Sequence, residues 1–361
     1  MKIVLLAAAS SIHAIRWANG LSAMGHKVHL VSQHRLTDEL SERVVVHSLP
    51  FKGMSGYYLN ALIVRKIVNR IKPDILNVHY ASGYGTTARL VRFHPYVLSV
   101  WGSDVYDFPY KSGLHKKLIQ KNLKAADSIA STSVCMAEQT KMFLHEHEEI
   151  YITPFGVDID NFAVERERHA AKVTIGTVKT LAPKYGIDTL IRAFGIARKK
   201  LEAYGTRINL QIVGDGPQRT ELERLTVSLD LQENVEFVGS VQHKEVPNRL
   251  RGFDVFVALS RLDSESFGVA IVEASAASLP VLVSDVGGLP EVTRDGVTGF
   301  VVKKDDPQGA ADKLVELCQN NRLREQMGKA GYQFVSERYS WQVCIENMLD
   351  VYKNAIHKAR S

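Results

Sequence analysis

The chain has 361 residues, 45% of them hydrophobic and 23% charged, with a formal charge of +6. This length is too great for one ordinary core and suits two α/β domains, and the composition excludes a disordered chain. No apolar run approaches the roughly 18 residues needed to span a bilayer, and Cys135, Cys318 and Cys344 are scattered without a CxxC pair. Structural disulfides and zinc are therefore not expected, and a reducing cytosol fits best.

In chain order, Lys2 and the apolar run Ile3–Ala9 superficially resemble a secretory leader. An amphipathic stretch follows (Ile12, Ile15, Ala18, Leu21), then a second short apolar run, Val28–Val31. That is the spacing of a βαβ unit, so the opening is expected to be folded rather than cleaved. Further β-rich runs occur at Val44–Ser48, Ile75–His79, Tyr96–Val100, Ser128–Ser131 and Glu149–Ile152. Helical patterns lie between them at Arg16–Met24, Tyr58–Ile71 and His115–Lys124.

A composition break at Thr153–Ala171, with Pro154, Gly156 and the charged run Glu165-Arg166-Glu167-Arg168, marks a linker. The alternation then restarts, with strands expected at Val173–Thr177, Asn209–Val213, Val235–Val238, Val255–Leu259, Val281–Val283 and Gly299–Val302. Helices are expected at Ile187–Leu201, Gln218–Leu229, Val269–Ala277 and Pro307–Leu317. Trp341–His357 reads as a closing amphipathic helix through Val343, Ile345, Leu349, Tyr352 and Ile356.

Alternating strands and helices predict parallel sheets covered by helices, so the fold class is α/β with two doubly wound domains. The expected division is 1–160, 161–340 and a last segment, 341–361. Ligands of such sheets sit at the carboxyl ends of the strands, where glycines and helix N-termini are needed. Two facing sheets would place the active site in a cleft between them.

Ten of the 13 histidines precede residue 166, so the N-terminal half gains most charge in mild acid. The basic excess attracts phosphates, but nothing resembles a nucleic-acid module. Lys117, Lys121 and Lys124 fall on one helical face beside Lys116, which suits an anionic membrane surface or a plain solvated face.

The richest segment is Glu265-Ser-Phe-Gly-Val-Ala-Ile-Val-Glu273. Small Ser266 and Gly268 precede an apolar helical run, so a helix with free N–H groups is expected from about Phe267. Glu265 stands at its mouth and Glu273 lies roughly 12 Å along its axis. Such spacing suits a ligand with hydroxyls at two separated points, with a diphosphate near the positive helix end.

This segment resembles the E-x7-E signature of retaining family-4-type glycosyltransferases. Ser284-Asp-Val-Gly-Gly-Leu-Pro-Glu291 and Asp295-Gly-Val-Thr-Gly299 are similar to the continuation of that signature. Thr177-Val-Lys-Thr-Leu-Ala-Pro-Lys-Tyr-Gly-Ile-Asp188 is similar to the family's phosphate-binding Arg/Lys segment, with Lys179 where Arg is usual. Val213-Gly-Asp-Gly-Pro217 resembles its GxGP turn, and Ile152-Thr-Pro-Phe-Gly-Val-Asp158 its hinge, with Phe155 where Asn is common. In the N-terminal half Gly25-His-Lys-Val-His29 and Gly102-Ser-Asp-Val-Tyr106 fit the pattern. Two features there depart from it: the glycine pair after the first strand is replaced by Ala9-Ser-Ser-Ile-His13, and Trp101 replaces a histidine.

The resemblance implies the GT-B fold, two Rossmann-like domains facing across a cleft, with the donor in the C-terminal one and the last helix returning to the first domain. It implies retaining transfer from a nucleotide diphosphate sugar, UDP preferred over GDP, to a glycan or lipid-linked acceptor in polysaccharide or glycolipid synthesis. No cofactor and no metal are expected. Lys179 and Lys184 would hold the diphosphate, whose charge grows as the glycosidic bond breaks. Glu265 would orient the sugar with the backbone N–H groups of Phe267, Gly268 and Val269. Glu273 would bind the ribose, and Gly214 and Gly216 would lie near the donor. His13, Trp101 and Asp104 are the cleft candidates of the first domain, although Asp104 could equally cap the next turn. Asp158 and Asp160 match a metal-binding DxD formally, but they stand at the domain boundary and lysines already supply positive charge. The expected location is the cytoplasm, with peripheral association at the inner membrane face. A nucleotide-sugar epimerase of the same architecture and a catalytically silent donor-binding partner are the alternatives.

Overall fold

The computed structural model describes residues 1–144, 149–163 and 172–360. The charged run Glu165–Arg168 of the expected linker lies outside the described residues. The chain divides into two units, Met1–Gly156 with Trp341–Ser361, and Val157–Ser340.

The first unit is built on strands β1 (Lys2–Leu6), β2 (Lys27–Ser32), β3 (Val45–Ser48), β4 (Ile75–His79), β5 (Tyr96–Val100), β6 (Ser128–Ser131) and β7 (Ile150–Ile152). They form one parallel sheet in the order β3-β2-β1-β4-β5-β6-β7. Burial on both faces explains the continuous apolar runs: Ile3 to Leu6 are wholly buried. The order reverses between β1 and β4, which makes their carboxyl ends the switch point of a doubly wound sheet.

On one face lie helices Ile12–Ala23 and Trp341–Arg360, which share a core of Ala14, Trp17, Leu21, Ile345, Met348 and Tyr352. Gly20 permits their close approach, since a Cβ there would lie 2.4 Å from Ile345 Cδ1. The opposite face is covered by helices Ala61–Ile71, Gly83–Val91 and Gly113–Lys124, through Val64, Val68, Ala88, Val91, Ile119 and Leu123.

The second unit has strands β8 (Lys172–Val178), β9 (Arg207–Val213), β10 (Val235–Gly239), β11 (Val255–Ala258), β12 (Val281–Ser284) and β13 (Gly299–Val302). They too are parallel, in the order β10-β9-β8-β11-β12-β13, with the switch point between β8 and β11. Ile191, Phe194, Leu210, Ile212, Val257 and Leu314 are among the buried residues of its main core.

Three local readings change. The helix expected over Tyr58–Ile71 is two helices, Gly53–Leu59 and Ala61–Ile71, broken at Asn60. Its side chain turns back to both the N–H and the C=O of Phe51, while its own backbone still bonds to Gly56 and Val64, so the interruption is confined to this one residue. The helix expected from Phe267 begins at Val269, because Gly268 takes a left-handed φ of 84°. Helix Asn321–Tyr339 was not expected. Its buried stripe contains Gly328 and Gly331, which read as breakers in sequence but bring the helix against Ser278 and Ser275.

Candidate active site

In the second unit four loops leave the carboxyl ends of β8, β9, β11 and β12 beside the switch point. Lys179 directly follows β8, and its backbone N–H is fixed by the Val213 carbonyl. Its ammonium donates to Glu265 Oε1 at 2.7 Å, and the two side chains are only 10% and 12% exposed. The same ammonium lies 4.9 Å from the centre of the Tyr185 ring, and Lys184 Nζ lies 4.7 Å from it. The two expected cations therefore converge on one aromatic ring, a cation–π arrangement that holds both without neutralising them. Tyr185 was missed as a participant. Its place between two lysine-bearing positions and a glycine was the available signal.

Gly214 and Gly216 serve this loop through what they lack. A Cβ at Gly214, where φ is 133°, would lie 2.0 Å from the Lys179 carbonyl oxygen, and one at Gly216 2.5 Å from that of Leu181. Their bare backbone is thus occupied by the protein's own lysine loop, which lets the turn after β9 clamp the loop after β8.

Arg261, after β11, is a second missed residue. Its guanidinium binds Asp188 at 2.6 Å and Thr189 Oγ1 at 2.9 Å, and also pairs with Asp305. Its backbone N–H donates to the Lys184 carbonyl at 2.8 Å. A planar fork with several donors suits this task better than a lysine would. It ties the Lys184 turn to the turn after β13.

Glu265 precedes helix Val269–Ala276, and its carbonyl accepts from Gly288 N–H at 3.1 Å. The glycine pair Gly287-Gly288 packs so tightly on residues 263–267 that any Cβ would collide with backbone there. Phe267 is buried with its ring edge-on to Tyr339 at 5.6 Å. Gly268 contributes no capping side chain, so nothing from that residue covers the start of the helix before Val269. Glu273 lies on this helix, nearly buried, and its Oε1 is 2.8 Å from His243 Nε2. His243 also was missed. It follows β10 in the turn Gln242–Glu245, which a reciprocal capping box rigidifies.

In the first unit the candidates meet at the carboxyl ends of β1, β4 and β5. His13 stacks on Phe155 at 4.1 Å and meets Trp101 edge-on at 6.1 Å. Trp101 covers His79 at 4.2 Å and contacts Phe155 at 5.2 Å. His79 is wholly buried, and burial, aided by the charge of His13, pushes its pKa down to about 3. Its Nε2 meets Asn77 Oδ1, which also accepts from Tyr352 of the closing helix. Asp104 takes the capping role: its buried carboxylate accepts from the N–H groups of Ala81, Trp101 and Gly102. Burial raises its pKa, and those bonds act against the rise.

Asp158 likewise caps a turn, accepting from the Asn161 N–H and side-chain amide. Among the described residues no group of three or more His, Cys, Asp or Glu is placed to hold a metal ion. No described helix is long and apolar enough to cross a membrane.

The sequence model described as "Glycosyl transferases group 1" matches residues 158–334, and that described as "Glycosyl transferase 4-like" matches residues 2–133. The chain belongs to the group 1 glycosyltransferases. Its two doubly wound domains are the GT-B fold of this family. A glycosyltransferase of Methanocaldococcus jannaschii with no assigned role is 28% identical over 342 residues, 90% of this chain and 89% of that protein. The GDP-mannose-dependent monoacylated α-(1-6)-phosphatidylinositol monomannoside mannosyltransferase of Corynebacterium glutamicum is 31% identical over 214 residues. That alignment takes in 55% of this chain and 54% of that enzyme. Among solved structures, HepE of Anabaena with UDP-glucose superposes with a TM-score of 0.78 at 16% identity, covering 98% of this chain and 100% of that one. As a group 1 glycosyltransferase, the chain carries its lysine pair, Glu265 and Glu273 inside the matched region 158–334.

Proposed function

We propose that this glycosyltransferase moves a sugar, with retention and without a metal, from a nucleotide diphosphate donor to a glycan or lipid-linked acceptor. The observation that carries the reading is the convergence of Lys179, Lys184 and Glu265 at the switch point of the second unit, with Glu273 further along the adjoining helix.

The roles follow from charge. The bond between the sugar's anomeric carbon and the phosphate oxygen breaks, and its electron pair leaves with the diphosphate. Lys179 and Lys184 meet that growing negative charge in a site where charges interact more strongly than in water. The acceptor oxygen bonds to the anomeric carbon on the face the diphosphate leaves, and its proton passes to a departing phosphate oxygen. Glu265 orients the sugar hydroxyls and stabilises the cationic sugar, while Glu273 accepts from the ribose. Phe267, Gly268 and Val269 direct backbone N–H groups to the donor at the helix mouth. His13 is the first unit's candidate for contact with a phosphate or a sugar hydroxyl, and Trp101 stands where the family's histidine lies near the donor sugar.

A UDP-sugar is the preferred donor, supported by the UDP-glucose bound to HepE. A GDP-sugar is the alternative, supported by the donor named for the Corynebacterium enzyme. The product enters polysaccharide or glycolipid synthesis at the cytoplasmic face of the membrane. A thermal-shift series over nucleotides and nucleotide sugars tests the donor. A ligand at 100 times its Kd stabilises by about 2.7 kcal/mol, and no shift with any nucleoside diphosphate refutes the reading. Product analysis separates the alternatives. An epimerised donor formed without acceptor indicates an isomerase, and donor binding with no turnover over a range of acceptors indicates a silent partner.

A further inference from the structure

Residues 43–126 hold thirteen Lys or Arg (Arg43, Lys52 and Arg65 among them) against three acids, Asp74, Asp104 and Asp107, although the whole chain is only +6. Asp104 is buried and consumed by backbone N–H groups. The helices of this stretch that cover one face of the first sheet, Ala61–Ile71, Gly83–Val91 and Gly113–Lys124, contain no Asp or Glu. They share one core and pack side by side, with Arg65 donating to the Leu90 and Val91 carbonyls and Arg89 to Asn122. Their outward sides therefore form one surface of a single sign. On it Lys66, Arg70, Lys116, Lys117, Lys121 and Lys124 are exposed.

The same surface carries large apolar side chains that no part of the unit covers. Met54 is 74% exposed, Leu62 68% and Leu114 79%, with Phe51, Tyr58 and Leu59 also exposed. Met54 and Tyr58 lie four apart on helix Gly53–Leu59, and Asn60 keeps a right-handed helical backbone (φ −74°, ψ −11°), so Leu62 at the start of the next helix extends the group rather than standing alone. The segment bearing them is held rigidly. Asn60 bonds to Phe51 and Gln33, and Gln33 Nε2 donates to the Gly53 carbonyl. It leaves β3 at its carboxyl end, the edge of the sheet where His13 and Trp101 lie.

We infer that this face docks on an anionic lipid bilayer, with the lysines reading headgroup charge and Met54, Tyr58 and Leu62 entering the acyl boundary. An acid-free, cationic layer repels a second copy of itself, whereas a surface of anionic headgroups offers the complementary charge, and apolar residues flanked by lysines suit the interface. Such docking would bring a lipid-linked acceptor to the edge of the sheet that holds Trp101. The inference does not depend on which donor is used.

The test is flotation of the full chain with phosphatidylcholine vesicles, with and without phosphatidylglycerol. Binding is expected only with phosphatidylglycerol. Each cation near such a surface strengthens binding about fivefold. Joint Lys116→Glu, Lys117→Glu, Lys121→Glu and Lys124→Glu substitution should therefore weaken binding by at least several hundredfold. Met54→Ser with Leu62→Ser should leave binding at low salt but make it collapse at high salt, where only the apolar part survives screening. A nucleoside diphosphate thermal shift equal to that of the parent shows that each variant is folded and keeps its donor site. The inference is overturned if the parent chain does not float, if both variants float as it does, or if light scattering shows a dimer that Met54→Ser and Leu62→Ser dissolve.

Discussion

Replacing Glu265 by Gln keeps the size and shape of the side chain and removes its charge, leaving Lys179 without its counter-ion in a site where both groups are nearly buried. Removing one partner of a buried pair costs about 3–5 kcal/mol, because the other charge stays desolvated. The amide oxygen still accepts from the ammonium, which places the expected loss near the lower figure, about 3 kcal/mol. For a unit of about 150–250 residues each kcal/mol moves Tm by roughly 2–4 °C, so the free protein should melt about 6–12 °C earlier. A bound diphosphate supplies Lys179 with a new counter-ion, so the deficit should shrink when the ligand is present. The assay is a pair of melting curves, parent and Glu265→Gln, each with and without saturating UDP or GDP, followed through the transition of the second unit. The variant should show the larger ligand-induced shift while its sugar transfer collapses. Equal deficits with and without nucleotide would refute the claim that Lys179 exchanges Glu265 for the diphosphate.

Glu273→Ala should weaken donor binding and abolish most transfer. His243→Ala should raise the donor KM with little change in kcat, and His243→Gln, which still donates to the carboxylate, should restore it; steady-state kinetics at varied donor concentration checks both. Arg261→Met removes the tie between the Lys184 turn, Asp188 and Asp305. It should lower kcat/KM by about tenfold or more, as the loss of a charged hydrogen bond of about 1.5–3 kcal/mol implies, and wild-type kinetics would show that the Lys184 turn holds itself. The first unit should lose stability in acid. His79 has a folded pKa of about 3 against 6.5 when unfolded, so the unfolded chain binds the extra proton. The stabilisation is complete above pH 6.5 and is lost below it at about 1.4 kcal/mol per pH unit, until pH 3. His26, His29, His34 and His47 are also lowered, chiefly by burial, and add to the same slope. Melting curves between pH 7.5 and 5 check this, and His79→Gln should flatten the largest part of the dependence.

The two parallel sheets were legible because burial on both faces turns each strand into an unbroken apolar run, as in Ile3–Leu6 and Val281–Val283. Periodicity failed where small or polar residues do structural work. Gly328 and Gly331 hide the buried stripe of helix Asn321–Tyr339, and Asn60 breaks a pattern that was continuous in its apolar residues. At the site, Lys179, Lys184, Glu265 and Glu273 could be named through the resemblance to a family's motifs, because each motif is one continuous segment of the chain. Tyr185 carried a local signal that was passed over, whereas His243 and Arg261 could not be named, because their importance arises from partners far away in sequence: His243 meets Glu273 thirty positions on, and Arg261 meets Asp188 and Asp305 from either side. Only the folded topology brings those loops together.

The same principle alters how departures from the family pattern should be weighed. His13, Trp101 and Phe155 stand in three separated segments, and read singly each looks like an independent erosion of the resemblance. In the structure they are one cluster: His13 stacks on Phe155, and Trp101 meets both rings. Aromatic pairs of this kind contribute about 0.5–1.5 kcal/mol beyond their burial, so the three residues support one another and changing one alone would leave its partners poorly packed. Trp101 also roofs His79, whose ring is tied through Asn77 to Tyr352. A substitution at position 101 is therefore felt from the first loop to the closing helix. Because the three rings pack on one another, a change at one position is accommodated most readily by changes at the other two, so the departures count as one repacked cluster rather than three separate erosions.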